Sequence, residues 1–85
     1  MKDKNDENYI YYLVGKNLKR LRTQKGLTQE KFAELCNYNF GFIRNIESEN
    51  YFITFSLSTV WTFAKVLNVD VREFFKPLDE ENKKD

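Results

Sequence analysis

Few side chains in this chain of 85 residues are suited to covalent chemistry. Cys36 is the one thiol, and the sequence has no histidine that would deprotonate it. It also lacks a glycine-rich loop for a phosphate group and a cysteine cluster for a metal ion. Cys36 is therefore interpreted as a small core side chain, and the acidic run Asp79-Glu80-Glu81 as solvated charge. We expect no enzyme activity, metal, cofactor or small-molecule ligand.

Hydrogen-bonding side chains are instead concentrated in a stretch with the pattern of two short amphipathic helices. The helices are predicted over Gln29–Cys36 and Phe40–Ser48, and only Asn37-Tyr38-Asn39 separates them. So short a junction forces the two helices to cross. Asn37 tolerates a positive φ at the junction, and Asn39 can cap the helix that follows. This pattern is typical of a helix-turn-helix.

Three further helices complete an all-α, five-helix prediction. The first covers Tyr9 to Gln24, where apolar residues recur every three or four positions, and the fourth covers Leu57 to Leu67 after a Ser56 cap. The fifth begins after Asp70 and ends before Pro77, because the residue before a proline disfavours helical geometry. The core-facing residues of the fourth helix are predicted to be Leu57, Val60, Trp61, Ala64 and Leu67.

Both ends of the chain are charged and low in hydrophobic residues. We therefore predict mobile tails over residues 1–8 and 77–85 and a single domain over residues 9–76. The net charge is only +1, but residues 9–50 carry seven basic and four acidic residues, an excess of +3. One cysteine and no apolar run of membrane-spanning length indicate a reducing, cytoplasmic location without a membrane.

Short motifs follow one another in order from Val14 to Phe75. They are Val14-Gly15, Leu18-Lys19-Arg20-Leu21-Arg22, Gly26-Leu27-Thr28-Gln29-Glu30, Phe32-Ala33-Glu34, Phe42-Ile43, Ile46-Glu47, Leu57-Ser58-Thr59-Val60, Phe63-Ala64-Lys65-Val66-Leu67 and Val69-Asp70-Val71-Arg72-Glu73-Phe74-Phe75. In these the chain strongly resembles the Cro and phage-repressor (XRE) family of DNA-binding domains. The resemblance implies a transcriptional regulator that sets its third helix in the DNA major groove and usually binds as a homodimer.

Two groups of DNA contacts follow from the resemblance and from side-chain chemistry. The predicted phosphate contacts are Asn17, Thr28, Gln29, Lys31 and Asn50. The predicted base contacts are Asn39, Phe40, Gly41, Arg44 and Asn45. Arg44 can donate two hydrogen bonds to guanine and Asn45 can pair with adenine, whereas Phe40 either covers a thymine methyl group or belongs to a protein interface. For Lys16, Lys19 and Lys25, a phosphate contact and a solvated position remain equal alternatives.

Glu47 stands near the end of the recognition helix, an unusual place for an acid in a helix that approaches phosphates. The resemblance implies that Glu47 turns inward and forms a structural ion pair with Arg22 of the first helix. The chain also departs from the family after Glu47, because the loop before Ser56 is about two residues longer. Asn50 is expected to supply the left-handed cap that a glycine usually gives there.

The aromatic residues outnumber those that so small a domain readily buries. We expect Phe63 and Phe74 in the core, and Trp61 and Phe75 in a homodimer interface built by the fourth and fifth helices. Phe75 is expected outside because adjacent residues of a helix cannot both face one core. The extended start of the first helix, Tyr9–Leu13, is interpreted either as packing or as a second protein contact.

Two functions remain open at this point. One is a small dimeric repressor or activator that recognises a short, near-palindromic site in double-stranded DNA. The other is a protein-interaction or antitoxin-like module that has lost most DNA affinity. Phe40 and the weak net charge favour the second function, and Gln29, Arg44 and Asn45 favour the first.

Overall fold

The computed structural model describes residue 3 and residues 5–78, and this part of the chain folds into four α-helices and one short 3₁₀-helix. The α-helices are α1 (Tyr9–Gln24), α2 (Gln29–Cys36), α3 (Phe40–Glu47) and α4 (Leu57–Leu67). The predicted all-α class is confirmed, and none of the described residues forms a strand. No helix within these ranges is long and apolar enough to cross a membrane.

The predicted fifth α-helix is wrong in type, because Val71–Phe75 forms a 3₁₀-helix. Asp70 caps it through a carboxylate that accepts a hydrogen bond from the backbone amide of Arg72 at 2.9 Å. Pro77 follows two residues after its end, and the helix itself has only five residues. So short a segment accommodates the tighter 3₁₀ turn, which is normally used in short pieces.

The predicted tails fall largely outside the described residues, which exclude residues 1, 2, 4 and 79–85. Asn5 to Asn8, predicted as tail, form turns in front of α1. The backbone amide of Asn8 donates to the Asp6 carboxylate at 2.8 Å, and that of Tyr9 donates to the Asp6 carbonyl at 3.0 Å.

The helix ends are fixed by local capping. Oxygen atoms of Thr28, Asn39 and Ser56 accept hydrogen bonds from backbone amides in the first turns of α2, α3 and α4, at 2.7 to 3.2 Å. Asn37 ends α2 with a left-handed φ of 64°, and Asn68 ends α4 with a φ of 57°. Ser48, predicted as the last residue of the recognition helix, is instead extended.

Three aromatic rings form the centre of the core. Phe32, Phe63 and Phe74 are fully buried, with ring centroids 5.4 Å apart for the first two and 6.1 Å apart for the last two. The core positions predicted for Phe63 and Phe74 are confirmed. Because the three rings come from α2, α4 and the 3₁₀-helix, this contact joins the helix-turn-helix to the C-terminal half of the domain.

The predicted inward face of α4 is partly wrong. Val60, Ala64 and Leu67 are buried, but Leu57 is 80 % exposed and Trp61 is 55 % exposed. Leu57 and Trp61 are four residues apart and therefore share one side of the helix. That side is turned away from the stripe that packs on α2 and the 3₁₀-helix, so it forms an apolar surface.

The start of α1 packs against the long loop between α3 and α4. The ring of Tyr11 contacts Phe55 edge-on at 5.1 Å between centroids and Phe52 at 6.1 Å. A cavity of 230 Å³ lies beside these rings. The prediction of a left-handed cap at Asn50 is wrong, since Asn37 and Asn68 are the described non-glycine residues with positive φ. The Asn50 amide instead donates to the Ser48 hydroxyl at 3.1 Å.

Candidate nucleic-acid interface

Helix α3 is held against α1 by a close contact between backbones. A β-carbon at Gly15 would overlap the carbonyl oxygen of Ile46. Ile43 and Ile46 are buried on the same side of α3, so its opposite side faces outward. The missing side chain at Gly15 thus sets how deeply α3 is seated and which of its residues reach solvent.

A buried ion pair fixes the C-terminal end of α3. The Arg22 guanidinium donates to both carboxylate oxygens of Glu47, with Nε to Oε2 at 2.7 Å and Nη2 to Oε1 at 2.9 Å. Side-chain exposure is only 9 % for Arg22 and 2 % for Glu47. This parallel two-bond geometry is the strongest form of a carboxylate–guanidinium contact, and it directs the acid of α3 away from solvent.

Two neighbours complete the hydrogen bonding of this pair. Arg22 Nη1 donates to the Leu27 carbonyl at 2.6 Å, and Gln29 Nε2 donates to Glu47 Oε1 at 2.9 Å. The pair thereby connects α1, the turn after it, the first residue of α2, and α3. Gln29, predicted to contact a phosphate, has one amide hydrogen committed to Glu47 and keeps a second one for another acceptor.

The outward side of α3 carries the predicted base-contacting residues. Asn39, Phe40 and Arg44 are exposed, whereas Gly41 and Asn45 are half-buried. The Arg44 guanidinium carbon lies over the Phe40 ring, 5.4 Å from its centroid. The structure thus brings all five predicted residues onto one short helix and its cap, with two of them in contact.

Thr28, Gln29 and Lys31 stand together at the N-terminal end of α2. The Thr28 hydroxyl accepts from the Lys31 amide at 3.0 Å, so the threonine acts as the helix cap. The Lys31 side chain is exposed and lies 3.7 Å from Glu34. A helix N-terminus with an exposed lysine and a glutamine amide is suited to an anion such as a phosphate.

A polar cleft of 420 Å³ separates this helix end from α1 and the end of α3. Its lining residues are Lys16, Lys19, Gln29, Arg44, Glu47, Ser48, Glu49 and Asn50. Lys16 forms an ion pair with Glu49 across the cleft. The Lys16 ammonium lowers the pKa of the exposed Glu49 carboxyl, through its hydrogen bond and then through its charge.

The sequence does not decide between a phosphate contact and a solvated position for Lys16 and Lys19, and the structure places both in this cleft beside Gln29 and Arg44. The spacing of three residues along α1 was a usable signal, because it puts both lysines on one side of the helix. Asn50, predicted as a phosphate contact, also lines the cleft. Lys25 is exposed at the far end of α1 and does not line it.

The structure contradicts the predicted phosphate contact of Asn17. This residue is 2 % exposed, and its Nδ2 donates to the carbonyls of Phe74 at 3.0 Å and Lys76 at 2.9 Å. Its Oδ1 accepts from Arg20, which in turn donates to the Glu73 carbonyl at 3.0 Å. Asn17 therefore fastens the 3₁₀-helix to α1 and has no hydrogen-bonding atom to offer a ligand.

The predicted exposure of Phe75 is also wrong. Phe75 is half-buried and packs against the core, where it lines a small cavity together with Val14, Phe55 and Val60. The argument from helical spacing fails because the 3₁₀-helix packs against both α1 and α4, so two adjacent residues that point in different directions can both be covered. Trp61, its predicted partner in an interface, is exposed on α4.

Cys36 lies in the core, and burial raises the pKa of its thiol to about 11. At neutral pH the side chain is an uncharged thiol, which is a poor nucleophile. Among the described residues, no cluster of cysteine and acidic side chains is suited to a metal ion.

Comparison with known proteins identifies related chains. The sequence model of the helix-turn-helix family matches residues 18–74. The crystal structure of the restriction-modification controller protein C.AhdI from Aeromonas hydrophila is similar with a TM-score of 0.68 and 31 % sequence identity, covering 76 % of this chain and 96 % of that chain. The crystal structure of the hypothetical transcription factor NHTF from Neisseria has a TM-score of 0.76 and 22 % identity, covering 96 % and 88 %. Curated proteins gave no significant match.

Proposed function

Because this chain belongs to the helix-turn-helix family, we propose that it is a transcriptional regulator that binds a short, near-palindromic site in double-stranded DNA as a homodimer. The observation that carries the proposal is the outward side of α3, where Arg44, Asn45 and the Asn39 cap stand together. The similarity to a restriction-modification controller protein supports a regulatory role.

In the proposed complex α3 lies in the major groove and reads base edges. The base-reading residues are Asn39, Phe40, Gly41, Arg44 and Asn45. The Arg44 guanidinium can donate two hydrogen bonds to O6 and N7 of guanine, and the Asn45 amide can pair with N6 and N7 of adenine. Each contact discriminates against a wrong base by about 1–3 kcal/mol. Gly41 has no side chain, so the helix backbone can approach the bases closely.

Phosphate contacts on either side of α3 would set its position in the groove. We assign Thr28, Gln29 and Lys31 to one phosphate site at the N-terminus of α2. Lys16, Lys19 and Asn50 would contribute a second site from the polar cleft. In that site a phosphate oxygen replaces the Glu49 carboxylate as the partner of Lys16.

The dimer is proposed to form through α4. Leu57 and Trp61 provide adjacent exposed apolar side chains there, and an exposed patch of this kind is typical of a protein interface. In a two-fold dimer the two copies of α3 would stand about 34 Å apart, which corresponds to one turn of DNA.

The second candidate function is a protein-interaction module of the antitoxin type. One observation favours it, namely that Phe40 is 38 % exposed on the recognition helix. The contact between its ring and Arg44 gives that exposure a different explanation, because the ring supports a DNA-reading group.

A salt titration separates the two functions. For a DNA-binding protein the affinity for random duplex DNA falls steeply with salt, with a slope of about −0.9 for each phosphate contacted. We expect at least four such contacts for one domain, and a slope near zero would contradict the proposal. Selection of bound duplexes from a random pool then yields the operator.

Single substitutions with a matched control distinguish phosphate contacts from base contacts. Lys31→Ala should weaken binding to all sequences alike and reduce the slope by about 1, whereas Asn45→Ala should relax the preference at one base position of each half-site. Lys76→Ala, which changes an exposed lysine after the 3₁₀-helix, is the control for loss of charge away from the DNA-facing side and from α4. Equal loss of base preference in the Lys31 and Asn45 variants would contradict this division.

A further inference from the structure

Phe40 and Arg44 form a cation–π pair on the recognition helix. They are four residues apart and therefore neighbours on one side of α3. The guanidinium carbon lies 5.4 Å from the ring centroid, which is within the range of a cation–π contact. A β-carbon on Gly41 would lie 3.9 Å from Arg44 Nη2, so the guanidinium is folded back toward the N-terminal end of the helix.

This arrangement restricts what each group can contact. The guanidinium carbon lies over the ring and Arg44 is exposed, so the edge of the guanidinium that carries its N–H donors can reach a base. That edge matches the two acceptors of guanine in the major groove. The ring has no hydrogen-bonding atom, so the only base feature it matches is the C5-methyl group of thymine.

The spacing within the pair is shorter than two steps along DNA. Successive bases of a strand are about 3.4 Å apart along the helix axis, so groups about 5 Å apart on one helix face reach neighbouring base pairs rather than distant ones. We propose that Phe40 and Arg44 read one dinucleotide step together, in which a thymine adjoins the guanine bound by Arg44. This inference rests on the proposed DNA-binding function and adds the chemistry of two adjacent operator positions.

Within the pair of Phe40 and Arg44, Phe40 has two effects. It contacts the methyl group directly, and it acts as a positioning residue for Arg44, because the cation–π contact limits the rotamers of a long side chain. Loss of the ring should therefore reduce discrimination at the guanine as well as at the thymine. A side chain that contacts only the thymine would affect the thymine position alone.

The experiment uses the full chain and the operator obtained by selection. The wild-type protein should enrich sites with a thymine next to a guanine in each half-site. Replacing that thymine by uracil, which lacks the methyl group, should weaken binding about fourfold, the equivalent of about 0.8 kcal/mol for one buried methyl group. Replacing the guanine by 7-deazaguanine should weaken it about tenfold or more. A 5-methylcytosine in place of the thymine should bind better than cytosine.

Variants test the coupling between the two residues. Phe40→Ala should abolish the difference between thymine and uracil and reduce the effect of 7-deazaguanine, and Phe40→Tyr should restore both. Tyr51→Ala, which removes an exposed ring from the loop after α3, should leave both effects unchanged.

Two results would overturn the inference and leave the proposed function standing. One is an operator with no thymine beside the Arg44-dependent guanine, and the other is equal binding of thymine and uracil duplexes. If no sequence is enriched and the salt slope is near zero, the proposed function fails and the inference fails with it.

Discussion

A β-carbon at Gly15 would overlap the carbonyl oxygen of Ile46, so main-chain atoms set the crossing of α1 and α3. In most helix pairs side chains separate the axes and can adjust when one of them changes. Here a backbone carbonyl would have to move, and it belongs to the helix that we propose reads DNA. Stability and DNA recognition therefore depend on the same contact.

Gly15→Ala should lower the free energy of unfolding by about 1–3 kcal/mol. In an open helix position the same change would raise it by about 0.5–1 kcal/mol, so even the sign of the effect tests the contact. Urea denaturation measures the change, with Lys19→Ala on the exposed side of α1 as the control. A midpoint equal to or above that of the wild type would contradict the close approach.

Removing either partner of the buried ion pair should strongly lower the free energy of unfolding. Arg22→Met or Glu47→Gln alone leaves one charge or its hydrogen-bonding groups buried without their partner, at a cost of about 3–5 kcal/mol. The double variant should lose much less than the sum of the two single variants. A double-mutant cycle from urea denaturation gives the coupling energy, and a value near zero would mean that the pair does not act as a unit.

Asn17→Ala should destabilise the domain by about 1–3 kcal/mol, because the carbonyls of Phe74 and Lys76 lose their amide donor. At a temperature where this variant is folded, the salt dependence of its DNA binding should equal that of the wild type. Lys31→Ala, in contrast, should reduce the slope without a loss of stability. A reduced slope for the Asn17 variant would restore the original expectation of a phosphate contact.

The buried thiol gives a prediction at high pH. Burial raises the pKa of Cys36 from 9.0 to about 11 in the folded chain, so above pH 9 the unfolded chain loses the proton that the folded chain keeps. The unfolded state then binds fewer protons, and the free energy of unfolding falls as the pH rises from 9 to 11. Cys36→Ala should show a smaller decrease over this range in urea denaturation. Parallel pH profiles for the two proteins would contradict the burial of the thiol.

Leu57→Asp should convert the proposed dimer into a folded monomer, because it places a charge in the exposed apolar patch of α4. Analytical ultracentrifugation gives the association state, and circular dichroism reports whether the variant is folded. Tyr51→Asp is the control, since it also adds a charge at an exposed aromatic residue but lies away from α4. A wild-type protein that remains monomeric at high micromolar concentration would rule out this dimer.

The sequence predicts the helix boundaries to within one residue, because the signals for them are local. A cap such as Thr28 bonds an amide three residues away, and Asn37 adopts its left-handed backbone without help from distant parts of the chain. The confirmed core positions of Phe63 and Phe74 follow from helical spacing and from the resemblance to the family. These features can be predicted from neighbouring residues or from a known family pattern.

Two features that the sequence does not reveal are contacts between residues that are distant in the sequence. Asn17 bonds carbonyls 57 and 59 positions away, and Lys16 pairs with a residue 33 positions away. Polar side chains on α1 look alike in the sequence, and only the path of the chain decides which is buried and which faces the cleft. The exposure predicted for Phe75 is wrong for another reason, because that prediction assumes a single covered side for a segment that packs against both α1 and α4.

The carboxylate of Glu47 belongs to α3 and also holds Gln29 at the start of α2. This hydrogen bond therefore helps to fix the distance between the proposed phosphate site and the proposed base-reading side of the domain. On DNA this distance suits one width of the groove. A duplex whose groove is too wide or too narrow must deform before both sites are occupied, and the energy of that deformation depends on its sequence. Base pairs that no side chain touches would then contribute to operator choice.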